Sequence, residues 1–155
     1  MSIEIAKKKL AEAGYLDRVI EFEESTATVG LAAEALGVEP GRIAKTLSFL
    51  VDGGAVLILA EGMARIDNRK FKDTFHTKAK MIPWDEVEGY IGHAPGGVCP
   101  FGAKEGVPVY MDESLKRWDV VYPAAGNDHS AVRLTPAELE EASGARGWVD
   151  VCKAD

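Results

Sequence analysis

Residues 42–60, RIAKTLSFLVDGGAVLILA, constrain the fold more than any other stretch. Ile43, Lys45, Leu47, Phe49 and Val51 alternate with Ala44, Thr46, Ser48 and Leu50. That period of two belongs to a strand, and the apolar set is expected to face the core. Asp52-Gly53-Gly54 is a hairpin turn signal, and AVLILA at 55–60 returns as a second strand. The returning strand is apolar on both faces, so it is expected to be central and covered on both sides. The first strand carries an anomaly, because the side chains assigned to the core include the ammonium of Lys45.

The rest of the chain supplies elements to cover such a sheet. Ile3, Ala6, Leu10 and Ala13 have helical spacing, with Gly14 as a stop. Residues 18–22 read as a short strand, residues 28–36 as a helix closed by Gly37, and Pro40 starts a further helical turn. Asp67 caps a helix to about Phe75, residues 78–82 read as a strand, and Pro83 opens a helix. Strands are expected at 107–111, 119–126, 129–134 and 148–151, and a capped helical turn at 112–118. Thr135-Pro136-Ala137-Glu138 is a capping box opening a helix that ends near Gly144. The interleaving predicts a mixed α/β (α+β) fold, one domain over residues 1–155, with flanking helices around one sheet. The sheet is either curved or closed.

Charge narrows the partners. The formal net charge is −7, which does not suit a protein that coats a duplex. A local basic patch that grips only the end of a nucleic acid remains compatible. Lys7 to Lys9 form one cluster; Arg65, Arg69, Lys70, Lys72, Lys78 and Lys80 form a broader band. Each is either a solvated helix face or a binding patch. The start of the chain lacks the apolar region of a signal peptide, and no apolar run is long enough to span a membrane. A cytoplasmic protein with Cys99 and Cys152 reduced is expected. Neither cysteine has a ligand-like spacing with His76, His93 or His129, so no metal is expected. Glycine motifs for nucleotides are absent, so no cofactor is expected.

Residues 92–102, GHAPGGVCPFG, break all regularity. Prolines fix φ there and glycines free it, so backbone N–H groups can aim at a ligand oxygen; the alternative is a plain surface connection. PGGVCPFG, placed after a strand carrying GRIAKTLSFL, resembles the YbaK/EbsC family, the free-standing relatives of the editing domain inserted in bacterial prolyl-tRNA synthetases. The family's G-x-x-x-P loop falls on Gly96 to Pro100 and its K-T-L lysine on Lys45. VLILAEGMARIDNRK, VPVYMDESL and YPAAGNDHSAVRLTPAEL are similar to further family segments in the same order, covering about residues 20–150.

The resemblance implies the prolyl-tRNA-editing fold, a mixed and partly barrel-like sheet with flanking helices. It also implies hydrolysis of the ester between a wrong amino acid and the 3′ end of a tRNA. The substrate class this resemblance implies is tRNA(Pro) carrying Cys or another small amino acid, with prolyl-tRNA synthetase a candidate partner. Lys45, Gly96 and Gly97 become the expected catalytic residues. Thr46, Gly62, Val98, Cys99, Pro100, Phe101 and His129 become the expected substrate contacts, with His129 equally readable as a turn residue. Lys45 then has a purpose: a partly desolvated ammonium is costly unless it meets a polar or anionic group, though it could also snorkel to solvent. Cys99 with His93 could form a nucleophilic pair, but family members commonly hold Ser at that position, so a loop filler is expected. The alternative to an enzyme is a binding module holding a small amino-acid-like ligand or a partner protein without turnover. The charge around Lys45 and the loop separates the two, a basic rim favouring tRNA.

Overall fold

The computed structural model describes residues 2–93 and 98–153. In chain order the elements are α1 (Ser2–Ala13), β1 (Val19–Glu21), α2 (Val29–Leu36), β2 (Ala44–Val51), β3 (Gly54–Glu61), β4 (Arg65–Ile66) and α3 (Asn68–Phe75). There follow α4 (Val87–Ile91), β5 (Val109–Asp112), β6 (Ser130–Val132), α5 (Pro136–Ser143), β7 (Trp148–Val149) and β8 (Cys152–Lys153). The architecture is mixed α/β, and no described helix is long and apolar enough to cross a membrane.

The hairpin forms where the sequence puts it. Asp52 and Gly53 take φ of 52° and 79°, both left-handed, as a two-residue primed turn requires. β2 pairs antiparallel with β3 from Ala44↔Glu61 to Val51↔Gly54. β5 adds parallel to β3, and β7 parallel to β5, giving the order β2-β3-β5-β7. This sheet is open. Isolated bridges at Ile43↔Tyr122 and Val121↔Leu134 carry the pairing past β2 toward the separate β1–β6 ladder. β4 and β8 form a third small pair.

β3 is central, and its side chains alternate between two cores. Leu57 and Leu59 join Ala6, Leu10, Ile91, Met111, Leu134 and Leu139 on one face, under α1, α4 and α5. Val56, Ile58 and Ala60 join Phe49, Phe71 and Val151 on the other, under α3. β2 departs from the one-sided reading. Its Leu47, Phe49 and Val51 pack into the α3 core, but Ala44 and Ser48, on the opposite face, are buried as well.

Two segments expected as strands are reduced. Residues 78–82 touch β2 only through the Phe49↔Met81 bridge, with Leu50 N–H donating to Lys80 O at 2.9 Å and Ile82 N–H to Ser48 O at 3.1 Å. Residues 121–122 pair only through isolated bridges. Pro83 has no N–H to extend the first, and Pro123 joins the second only as an acceptor, its carbonyl taking Val132 N–H at 2.9 Å.

Candidate functional site

A cavity of about 450 Å³ opens beside β2, on the face of Ala44, Thr46 and Ser48. One wall is the segment Thr26–Val29 with Ala32 of α2. Thr28 caps α2 by accepting from Leu31 N–H at 3.1 Å, and Thr26 N–H donates to Asp128 O at 2.6 Å, so this wall is pinned at both ends. The opposite wall is Met81, Ile82, Trp84 and Val87. Val98 closes one side; Tyr122, Ala124, Ser130 and Ala131 close the other. The size suits a small-molecule site, and the lining is mainly apolar.

Polar groups in the cavity are few. Ser130 Oγ accepts from Ala125 N–H at 3.2 Å. Thr46 Oγ1 is buried and has no hydrogen-bond partner among the described residues. A buried hydroxyl without a partner is costly in a folded chain, and here it lies just behind the cavity wall, on a residue that lines it.

Lys45 is the one charged residue in the described lining. Strand alternation turns its side chain away from Thr46, and its ammonium donates to Gly62 O at 3.3 Å and to Ala64 O. Those carbonyls belong to the turn that ends β3. Glu61, 1% exposed, holds the same turn from the other side: its carboxylate accepts from Met63 N–H at 2.6 Å and from Arg117 at 3.1 Å. Gly62 is there because nothing larger fits; a Cβ would lie 2.1 Å from Pro40 O and 3.2 Å from Ile43 O. The opening anomaly thus has a structural part. A lysine is tolerated among core positions because backbone carbonyls accept its hydrogen bonds.

The loop residues separate. Gly96 and Gly97 lie outside the described residues. Val98 faces the cavity, whereas Cys99, Pro100 and Phe101 are buried, Cys99 and Phe101 within the main core. Cys99 Sγ sits 3.7 Å from His93 Nε2 and 3.7 Å from Phe101 O. His93 Nε2 is 2.8 Å from Phe101 O, a distance at which the ring nitrogen must carry the proton and donate. It cannot then accept a proton from the thiol. Burial pushes the Cys99 thiol up to about 12 and holds His93 below its ordinary value. Both groups are neutral, as a packed filler would be. His129 is half-buried, bonded to Asp128 and Asn127, and outside the cavity lining.

The sequence reading did not find Thr26–Val29, Met81, Trp84, Tyr122 or Ser130 as lining. The one local signal was Trp84, a large apolar side chain between Pro83 and Asp85 in a polar stretch.

Comparison with known proteins agrees with the geometry. The sequence profile of the aminoacyl-tRNA editing domain matches residues 23–142. YwhH of Bacillus subtilis strain 168, an uncharacterized protein, is 48% identical over 154 residues, covering 99% of this chain and 98% of that one. EbsC of Enterococcus faecalis, named as a candidate Cys-tRNA(Pro)/Cys-tRNA(Cys) deacylase, is 28% identical over 127 residues, 81% of this chain and 77% of its own. A crystal structure of a candidate trans-editing enzyme for prolyl-tRNA synthetase superposes with a TM-score of 0.87 at 33% identity, covering 99% of this chain and 98% of that one.

Proposed function

Because the chain belongs to the aminoacyl-tRNA editing-domain family, we propose that it is an aminoacyl-tRNA deacylase, with residues 1–155 acting as one editing domain. It hydrolyses the ester of a mischarged tRNA, with tRNA(Pro) carrying Cys or another small amino acid the first substrate to try. The observation that carries this reading is the pairing of Thr46 and Lys45. Two neighbouring β2 residues line a cavity of amino-acid scale, one with a buried hydroxyl that lacks a partner, the other with an ammonium held by backbone carbonyls.

In the reaction water adds to the ester carbonyl carbon, negative charge gathers on the carbonyl oxygen, and the bond to the ribose oxygen breaks as that oxygen takes a proton. No cofactor is required. Positioning and charge stabilisation supply the acceleration. Thr46 Oγ1 receives a polar group of the aminoacyl moiety, Val98 and Ala44 bound its side chain, and Lys45 stabilises charge at the edge of the cavity. Gly96 and Gly97 are assigned as backbone donors to the carbonyl on family resemblance. A tRNA-editing role would locate the protein in the cytoplasm, where prolyl-tRNA synthetase is its natural neighbour.

The test is a deacylation screen of the wild type and Lys45→Ala against a panel of mischarged tRNAs. Turnover of at least one tRNA, lost in the variant, is expected. The second reading, a non-catalytic module for a small amino-acid-like ligand, draws on the single charge in the described lining and the exposed apolar rim at Met81 and Trp84. No turnover of any tRNA, with a free amino acid binding in the cavity, would establish that alternative.

A further inference from the structure

Trp84 is 73% exposed and Met81 56% exposed, yet both belong to the wall of the cavity. Their neighbours are anchored. Ile82 and Val87 are each 5% exposed, and Ile82 N–H bonds to Ser48 O on β2 at 3.1 Å. Pro83, at φ −56°, leads into the short 3-10 turn Trp84–Glu86, and Glu86 N–H closes back on Pro83 O at 2.9 Å. The backbone therefore fixes an indole at the cavity wall without burying it. A large aromatic held in water by a rigid frame contributes little to folding, and it has the shape of a surface waiting for a flat partner.

We propose that Trp84, with Met81 beside it, is the platform on which the terminal purine of the substrate's single-stranded 3′ end stacks while its aminoacyl group enters the cavity. This rests on the proposed deacylase reading and names a binding residue within it. Three observations favour a base over another occupant. The platform borders the cavity that would take the amino acid, and in an aminoacyl-tRNA the terminal base is one ribose away from the ester. Unpaired 3′ bases are recognised by stacking on aromatic side chains, a mode that suits a chain of net charge −7. Charges also divide around the indole: exposed Lys78 and Lys80 precede it and exposed Asp85 and Glu86 follow it, so a phosphate strand has one favourable direction of approach.

The experiment measures binding apart from hydrolysis. The probe is an unacylated RNA hairpin with a short single-stranded 3′ tail ending in a purine, labelled at its 5′ end and titrated with wild type, Trp84→Ala and Trp84→Phe. Trp84→Ala is expected to weaken binding about tenfold or more, with Trp84→Phe retaining most of it, since a stacked base contributes on that scale. Removing the terminal nucleotide is expected to weaken wild-type binding and erase its advantage over Trp84→Ala. Equal affinity of wild type and Trp84→Ala for the full probe overturns the platform, as does an advantage that survives removal of the terminal nucleotide. Absence of hairpin binding by the wild type overturns it too. Trp84-dependent binding without hydrolysis of any mischarged tRNA keeps the platform and sinks the deacylase reading; hydrolysis at equal kcat/KM in Trp84→Ala does the reverse.

Discussion

The two faces of β2 solve different problems with the same strand. One face is closed. Leu47, Phe49 and Val51 pack beneath α3, where Phe49, Phe71, Phe75 and Tyr110 follow one another at ring-centroid distances of 4.9, 4.8 and 5.5 Å. Even its lysine is committed, with the ammonium on the carbonyls of Gly62 and Ala64. The other face carries Ala44, Thr46 and Ser48, small or polar, and lines the cavity, with the unsatisfied Thr46 hydroxyl buried behind the lining. Adjacent residues thus divide stability from ligand handling. The strand can be held rigid by one side while the other stays open.

The comparison breaks most severely on the closed face. Phe49→Ala removes a 2% exposed ring from the aromatic row and leaves a cavity, at a cost of about 3–5 kcal/mol. Urea denaturation should show that loss, while the deacylation rate per folded molecule stays near wild type. A rate that collapsed in the fully folded variant would mean the two faces are not separable.

Lys45→Ala is next, because this residue belongs to the closed face by alternation and to the site by charge. A loss of about 10²–10³ in single-turnover rate is expected if the ammonium stabilises charge on the ester. Alternation alone suggests that deleting a desolvated ammonium would leave stability intact. Its bonds to Gly62 O and Ala64 O revise that expectation to a loss of about 1–2 kcal/mol, because two carbonyls lose their donor. Calorimetric melting beside the kinetics separates the two effects.

Thr46→Val sharpens the comparison from the open side. The substitution keeps shape and removes only the unpaired hydroxyl, so stability should hold or rise slightly. Deacylation kcat/KM should fall by up to about tenfold, the scale of one hydrogen bond to substrate. A variant that is both less stable and fully active would show that Thr46 serves the fold.

Much of this arrangement was legible in local sequence. The primed turn at Asp52-Gly53, the Thr135–Glu138 capping box and the left-handed stops at Gly37 and Gly144 are short-range chemistry, and each appears where the residues demand it. The two-sided burial of β3 followed from its unbroken apolar run. The cavity was not legible, because its walls come from residues 26–32, 43–48, 81–87, 98 and 122–131, brought together only by the long-range pairings. Periodicity also misjudged the open face of β2. Small and polar side chains normally mark solvent, whereas here they mark a recess that other elements enclose. His129 illustrates the converse, since its place beside a Gly-containing turn suggested a pocket residue, and local bonds to Asn127 and Asp128 hold it at the surface.

The smallest effect on activity is expected at Cys99, which tests whether chemistry resides at the open face or in the loop. A nucleophilic thiol needs a base and a depressed pKa. Cys99 has neither, because its nearest imidazole donates to Phe101 O and burial drives the thiol up to about 12. Cys99→Ser should therefore keep most of its activity. Iodoacetamide should leave the native wild type active and label the residue only on unfolding. The same burial has a pH signature. Unfolded, the thiol ionises near its ordinary value of 9.0; folded, it stays protonated to about 12. Above the lower value the unfolded state sheds a proton that the folded state keeps, so stability falls as pH rises, by at most about 1.4 kcal/mol per pH unit for each such thiol. Cys152, also raised to about 12, contributes the same trend. Cys99→Ser should make the fall between about pH 8 and about pH 9.5 shallower without abolishing it, as read by urea titrations along that range. An unchanged slope, or a variant inactive while folded, would return the thiol to the reacting centre and move the chemistry off β2.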